Sequence, residues 1–341
     1  MDSHARKINV LKKWESIRRG YPWYNLCEDK QFIEPYVLSR KTYGHAMDFL
    51  VVNRQGQNWY DKPDVLMDFE LFNQFCMIRP GDVVFDCGAH QGYYALILSK
   101  MVGERGKVYS FEPFPILTDV IECNMQLNQA NNVQLFKVGV SNIKEKIRGS
   151  LNEENVGVTR EKDAIDISLD MLDNYAHLKP NFVKLDVEGA EVNALEGAKK
   201  VLAQVPNLYI EIHVQYLPHF KRRAMEIFDF VNANNYNMVL CYPEQPLMFY
   251  NCEFPLERSC ALYCIRKEIE FYKRATLETP TAMQALAELM RKQRDQSMEV
   301  AARLAKAKEA TVAAAAAPQR QAPKQEPRKR SLGGMLKKIW R

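Results

Sequence analysis

The sequence predicts an α/β fold with a mostly parallel sheet, helices on both of its faces and a closing antiparallel strand. Three observations predict it. Short β-rich apolar runs alternate with helix-like stretches from position 83 to position 241. The first run, Val83–Cys87, leads through a turn bearing Gly88 and Gly92 into a helical stretch that opens at Tyr93. The second run, Lys107–Glu112, ends in a carboxylate twenty residues after Gly92. A strand, a glycine-bearing turn, a helix and a second strand ending in an acid outline a nucleoside pocket. Its glycines let backbone approach a ligand, and its acid can accept hydrogen bonds from ribose hydroxyls.

The elements follow in order. Ile8, Leu11, Trp14 and Ile17, set among Lys and Arg, fit a short amphipathic helix, and Phe49–Val52 is strand-like. Pro80-Gly81-Asp82 is a turn signal before the first core strand. Strand one is Val83–Cys87, with a helix over 93–101; strand two is Lys107–Glu112, with a helix from Pro115 to Asn128. Strand three is Val133–Val138, and strand four Asn181–Asp186 with a helix from Ala190 to Leu202. Strand five is Leu208–His213, with a helix near 220–234, and 236–241 with 260–266 closes the sheet. Ligands of such sheets bind at the carboxyl ends of the strands, where Cys87, Glu112, Asp186 and His213 fall. The weakly patterned stretch from Gly139 to Lys179 reads as a functional loop contributing to an acceptor site.

After Lys267 the composition shifts. Thr279-Pro280 is a helix-start signal, and residues 281–311 are rich in helix formers but lack a sustained heptad stripe. Ala313–Ala317 opens a linker. From Pro318 to Arg341 there are eight Lys or Arg and one Glu, or +7; the rest of the chain therefore carries −2 of the formal +5. The folded part is not basic, and the expectation is no nucleic-acid partner. The blocks of apolar and basic residues in 332–341 suit peripheral contact with an acidic membrane surface or a protein. No apolar run reaches membrane-spanning length, and residues 1–7 have no signal-peptide pattern. A cytoplasmic location is the expectation, with the tail at most peripheral on the inner face of a membrane. The eight cysteines form no CxxC pair and read as reduced.

The turn after strand one is not a dinucleotide fingerprint. GxGxxG would need a glycine two residues from Gly88, where Asp86 and His90 stand. The pattern is D-x-G-x-x-x-G, and a carboxylate at the strand end suits a cationic ligand better than a pyrophosphate. S-adenosylmethionine, with an ammonium and a sulfonium, fits that requirement.

Asp86-Cys87-Gly88-Ala89-His90-Gln91-Gly92-Tyr93-Tyr94 resembles the first motif of the FkbM-family methyltransferases, a branch of the S-adenosylmethionine-dependent class I enzymes. The resemblance continues through Phe111-Glu112-Pro113, the helix carrying Asn124 and Asn128, and Gly139-Val140-Ser141-Asn142. It is strongest at Lys184-Leu185-Asp186-Val187-Glu188-Gly189-Ala190-Glu191 and ends with Glu211-Ile212-His213. The family usually has Asn where this chain has His90.

The resemblance implies a Rossmann-like, seven-stranded class I sheet. Together with the composition of the two ends, which lie outside it, it gives four expected regions: an N-terminal extension over 1–60, a methyltransferase domain over 61–266, a helical extension over 267–317 and a disordered basic tail over 318–341. It implies S-adenosyl-L-methionine as cofactor, bound by Asp86, Gly88, Ala89, Gly92, Glu112, Val140 and Ser141, and O-methylation of a sugar or glycan hydroxyl. Asp186, Glu188 and His213 are the expected catalytic residues. His213 is the expected base because an ordinary imidazole titrates near neutrality. Glu188 and Glu191 also suit a helix N-terminus. No metal-ligand spacing demands a metal. Two other readings stay open: a methyltransferase-fold scaffold that recruits partners, and an NAD-dependent oxidoreductase.

Overall fold

A computed structural model describes residues 2–21, 34–42, 45–61, 72, 77–151, 156–158, 165–242, 247–252 and 254–267. The helix expected over 281–311, the linker and the basic tail lie outside the described residues. The described residues all fall within one compact unit, 1–291.

The chain begins with helix α1 (Ser3–Arg18), whose N-terminus is capped by the Asp2 carboxylate accepting from the Ala5 amide at 2.7 Å. The buried residues of α1 are Val10 and Trp14, whereas Ile8 is exposed. The seam therefore runs along 10 and 14 rather than through Ile8. Strands β1 (Tyr36–Thr42) and β2 (His45–Val51) pair antiparallel, and α2 (Arg54–Tyr60) follows.

The central sheet then forms from β3 (Val83–Cys87), β4 (Lys107–Phe111), β5 (Val133–Phe136), β10 (Phe182–Leu185), β11 (Asn207–Ile212), β12 (Tyr236–Cys241), β13 (Met248–Tyr250) and β14 (Cys260–Arg266). Its order is β13-β12-β14-β11-β10-β3-β4-β5. The five strands from β11 to β5 are parallel, and β14 closes the sheet antiparallel to β11. There are eight strands where seven were expected. The extra one, β13, is three residues long and pairs with the edge of β12, too short to leave a periodic signal.

From β3 the chain moves outward through β4 to β5, then returns to the other side of β3 with β10 and moves outward again to β11. The pair β3–β10 is thus the switch point of the sheet, the position at which sheets of this kind bind their ligands. Helix α3 (Tyr93–Val102) follows β3 and α4 (Pro115–Asn128) follows β4, close to their expected bounds.

Three expectations are corrected. The stretch 139–179 is not an irregular loop: β6 (Gly139–Val140), β7 (Glu145–Leu151), β8 (Val156–Val158) and β9 (Ile165–Asp170) form a second sheet, order β6-β9-β7-β8. The helix expected over 190–202 is split into α5 (Glu191–Glu196) and α6 (Lys199–Leu202). Gly197 stands at the split, where a Cβ would lie 2.0 Å from the Ser141 carbonyl oxygen. The helix expected near 220–234 is replaced by short 3-10 turns at Leu217–Phe220, Ala224–Asp229 and Ala233–Asn235. Lys221, left-handed at φ 57°, ends the first of these turns.

The segment before the sheet shares its core. Trp14, Leu50 and Val52 pack with Phe114, Ile116 and Val120 of the α4 region, while Phe49 and Val51 pack with Tyr93, Leu96 and Ile97 of α3. Polar ties reinforce this. The Leu50 amide donates to Asn124 Oδ1 at 2.7 Å and the Asp48 amide to Asn128 Oδ1 at 3.0 Å. Asn128 Nδ2 returns a bond to the Asp48 carbonyl at 2.6 Å, and Asn124 Nδ2 donates to the Gln91 carbonyl at 2.9 Å. Two amides on α4 thus hold β2 on one side and the turn after β3 on the other. Cys87, Cys123, Cys241, Cys252, Cys260 and Cys264 are free thiols. No helix among the described residues is long and apolar enough to cross a membrane.

Candidate active site

The turn after β3 is built from backbone. The amides of Gly88 and Ala89 donate to the Phe111 carbonyl at 3.0 and 3.1 Å, tying the turn to the end of β4. Gly88 has φ +79°, and a Cβ there would sit 1.7 Å from the Asp186 carbonyl oxygen. No other residue fits that approach, so the turn abuts the end of β10. Ala89 is buried, and Gly92 is the left-handed residue from which α3 starts.

Glu112 lies just past β4 and is buried. Its Oε2 accepts from the His90 amide at 2.9 Å and its Oε1 from the Phe114 amide at 3.1 Å. Burial raises its pKa to about 8, and the two amide bonds only partly oppose this. His90 is left-handed (φ 51°) and is covered by α2. Its Nδ1 lies 2.6 Å from the Tyr60 hydroxyl, its ring centroid 5.0 Å from that of Trp59, and burial lowers its pKa to about 4.

Across the switch point, Lys184 is a buried lysine in the middle of the parallel sheet. Its Nζ lies 2.9 Å from Asp186 Oδ2, 3.8 Å from Asp86 Oδ1 and 4.6 Å from the centre of the Tyr94 ring. Burial opposes its charge, but the two aspartates outweigh burial and raise its pKa. Asp86 has no exposed surface; its Oδ2 accepts from Ser110 Oγ at 3.2 Å, and its Oδ1 has no hydrogen-bond partner.

Asp186, Glu188 and His213 come together. His213 lies just past β11, with Nε2 3.4 Å from Glu188 Oε2, 3.8 Å from Glu211 Oε1 and 4.0 Å from Asp186 Oδ1. Its Nδ1 is 2.8 Å from Oε1 of Glu191, which has no exposed surface and also accepts from the Gly189 amide at 2.9 Å. Burial would lower the His213 pKa, but the bond to Glu191 and the charges of Asp186 and Glu188 raise it to about 10. A protonated imidazole has no free lone pair, so the near-neutral titration that recommended His213 as a base does not carry over to this setting. Burial raises Glu188 to about 7. Burial also opposes ionisation of Asp186, yet Lys184 and His213 outweigh it and hold that pKa below its usual value.

Val140 and Ser141 sit in and just after β6. Val140 packs in the cluster that holds Phe85, Cys87 and Phe111, and the Ser141 amide donates to the Asp170 carbonyl at 2.9 Å. Sequence reasoning gave Lys184 and Glu211 no role in the site and read Glu191 only as a helix-opening acid. A lysine inside the apolar run Phe182–Leu185 was the readable signal, since a buried lysine needs an anionic partner.

Residues 86–238 match the model of the methyltransferase FkbM domain. A curated relative, the ribosomal RNA large subunit methyltransferase E of Bdellovibrio bacteriovorus, is 34% identical over 71 residues, which cover 20% of this chain and 36% of that protein. The chain thus spans little more than a third of that relative's length. Two solved structures are similar at low identity. The methyltransferase FkbM of Methylobacillus flagellatus KT is 18% identical, covering 58% of this chain and 52% of its own, with a TM-score of 0.36. The fibrillarin of Aeropyrum pernix, with natively bound S-adenosyl-L-methionine, is 12% identical, covering 69% and 95%, with a TM-score of 0.35. The comparisons correct one expectation. Nucleic acid was excluded as a partner, yet the curated relative is a ribosomal RNA methyltransferase. The excluding argument used net charge, which sums over the whole surface, whereas a polyanion docks on one face.

Proposed function

Because residues 86–238 carry a methyltransferase FkbM domain, a domain whose methyl donor is S-adenosylmethionine, we propose that this chain is an S-adenosylmethionine-dependent O-methyltransferase acting on a sugar hydroxyl. One observation carries the reading. The turn after β3 touches the end of β10 at Gly88 and Asp186, which supports a reading in which cofactor and acceptor meet at that end of the sheet.

The residues fit the cofactor's chemistry. Glu112 offers carboxylate oxygens to ribose hydroxyls. Asp86 lies buried at the end of β3 with Lys184 Nζ 3.8 Å from its Oδ1, and this reading gives its carboxylate the methionine end of the cofactor. In this reading Gly88, Ala89 and Gly92 supply backbone contacts, and Val140 and Ser141 flank the base. The bound cofactor supplies an electrophilic methyl on a sulfonium.

On the acceptor side, Asp186 and His213 position the hydroxyl and Glu188 receives its proton. A cofactor held there would give its methyl to the acceptor oxygen and leave as S-adenosylhomocysteine, and Glu188 would keep the proton that the hydroxyl gives up. Much of the acceleration comes from holding oxygen and methyl in line, worth up to roughly 7–11 kcal/mol in favourable cases.

The ribosomal RNA relative favours a second reading of the acceptor, in which the methylated group belongs to RNA. Calorimetric titration with S-adenosylhomocysteine, with NAD as control, tests the cofactor. Binding of the former alone, lost in Glu112→Ala, is the expected result, and binding of NAD alone would return the chain to the oxidoreductases. Transfer of labelled methyl to a panel of free saccharides and to ribosomal RNA then separates the two acceptors.

A further inference from the structure

We propose that Asp186, Glu211 and His213 form a site for one divalent cation that holds the acceptor oxygen. The inference rests on the methyltransferase reading and deepens it.

The three residues lie at the carboxyl ends of neighbouring strands. Leu185 of β10 pairs with Ile210 of β11, which sets Asp186 beside Glu211, with His213 two residues further on. One ligand atom from each lies within 4.8 Å of the others. His213 Nε2 is 3.8 Å from Glu211 Oε1 and 4.0 Å from Asp186 Oδ1. Around an octahedral cation with bonds of about 2.1 Å, neighbouring ligand atoms stand about 3.0 Å apart and opposite ones about 4.2 Å apart. Both His213 distances fall between these limits, and all three atoms lie within 4.8 Å of one another, so a modest closing of the side chains would let them share one ion and leave its other positions to the acceptor and water.

Each outer member is already oriented. Glu191 accepts at His213 Nδ1, which leaves Nε2 facing the carboxylates. This is the arrangement of a metal-bound histidine, whose second nitrogen is held by a carboxylate. The ion would take the place of the Nε2 proton, so binding releases a proton and weakens as pH falls. Glu191 is wholly buried, is fixed by the Gly189 amide, and keeps its Oε2 without a hydrogen-bond partner beside the group. Lys184 grips Asp186 by Oδ2 and leaves Oδ1 toward His213. The side chains of Asp186 and Glu211 are 23% and 42% exposed, which gives an ion a way in. Two carboxylates and one imidazole suit a first-row divalent ion such as Mn²⁺ better than Mg²⁺, which disfavours nitrogen. An acceptor hydroxyl bound to that ion would lose its proton more readily, and Glu188, 3.4 Å from His213, is placed to take it.

The test uses the full chain and Mn²⁺ as the probe, read by electron paramagnetic resonance with and without S-adenosylhomocysteine. The expected result is one Mn²⁺ bound per chain. Affinity should fall at least tenfold in Glu211→Gln, whose exposed position spares the fold, and likewise in His213→Gln. Absence of binding at millimolar Mn²⁺ with S-adenosylhomocysteine present would overturn the site, as would binding that Glu211→Gln leaves unchanged. Titration with S-adenosylhomocysteine alone reports the methyltransferase reading separately, so either proposal can fail while the other stands.

Discussion

Replacing Glu112 by Gln removes an acid that the fold holds at a pKa of about 8, against 4.5 for an unburied glutamate. Between those values the folded chain keeps a proton that the unfolded chain has released. The folded state binds more protons there, so this group's contribution to stability falls as pH rises. The slope is about 1.4 kcal/mol per pH unit, or on the order of 5 kcal/mol over the whole interval from 4.5 to 8. Below pH 4.5 and above pH 8 the contribution is flat. Glu112→Gln cannot ionise, so the stability of wild type relative to the variant should decline through that window and level off on either side. Urea unfolding of both proteins without ligand, at half-unit steps from pH 4.5 to 8.5, measures it. Parallel curves would refute the argument, because they would mean that Glu112 ionises as freely in the fold as in the open chain. Ribose hydroxyls donate to the ionised acid, so S-adenosylhomocysteine should bind wild type more tightly as pH rises toward 8, by at most about tenfold per unit. The variant should lack that dependence.

Lys184→Met leaves Asp86 and Asp186 without their shared cation and should cost about 3–5 kcal/mol in urea unfolding near neutral pH; a loss under about 1 kcal/mol would contradict the pairing. Gly88→Ala should destabilise the fold by more than about 2 kcal/mol, because the new methyl meets the Asp186 carbonyl as well as an unfavourable φ. Gly103→Ala, also at positive φ but in open space, should cost only about 1 kcal/mol, and equal losses at both sites would remove the packing argument. Trp14→Ala should lower stability by about 3–5 kcal/mol, since Trp14 is wholly buried against the α4 region. A small change in melting temperature would show that α1 is peripheral to the core.

The strands of the parallel half, and the helices after β3 and β4, were legible because each carries a local signal. Pro115 opens α4 at its first position, and Val83–Cys87 is a short β-rich run, apolar but for Asp86, that Gly88 ends. The second sheet was hidden for the opposite reason. Glu145–Leu151 and Ile165–Asp170 mix charged and apolar residues, and they become strands by pairing with each other. The site divided along the same line. Asp186, Glu188 and His213 could be chosen one by one as acids and an imidazole at strand ends. Their grouping with Glu211 depends on the pairing of β10 with β11, which no spacing in the chain reveals. The strong basicity of His213 was equally unreadable, because it arises from Glu191, twenty-two residues away in the chain. β13 and the 3-10 turns before β12 show the limit of periodicity, which needs more than three or four residues to register.

The amides of Asn124 and Asn128 separate a boundary of homology from a boundary of folding. The span that matches the FkbM domain starts at 86 and stops at 238. A fragment cut to those limits would lose β2, leaving both amides without the backbone they hold and opening the surface that Leu50 and Trp14 cover. It would also lose β14, so the edge of β11 would be bare and ready to pair with another molecule. The portion of this chain that inheritance marks out is therefore smaller than the portion that can stand alone in water.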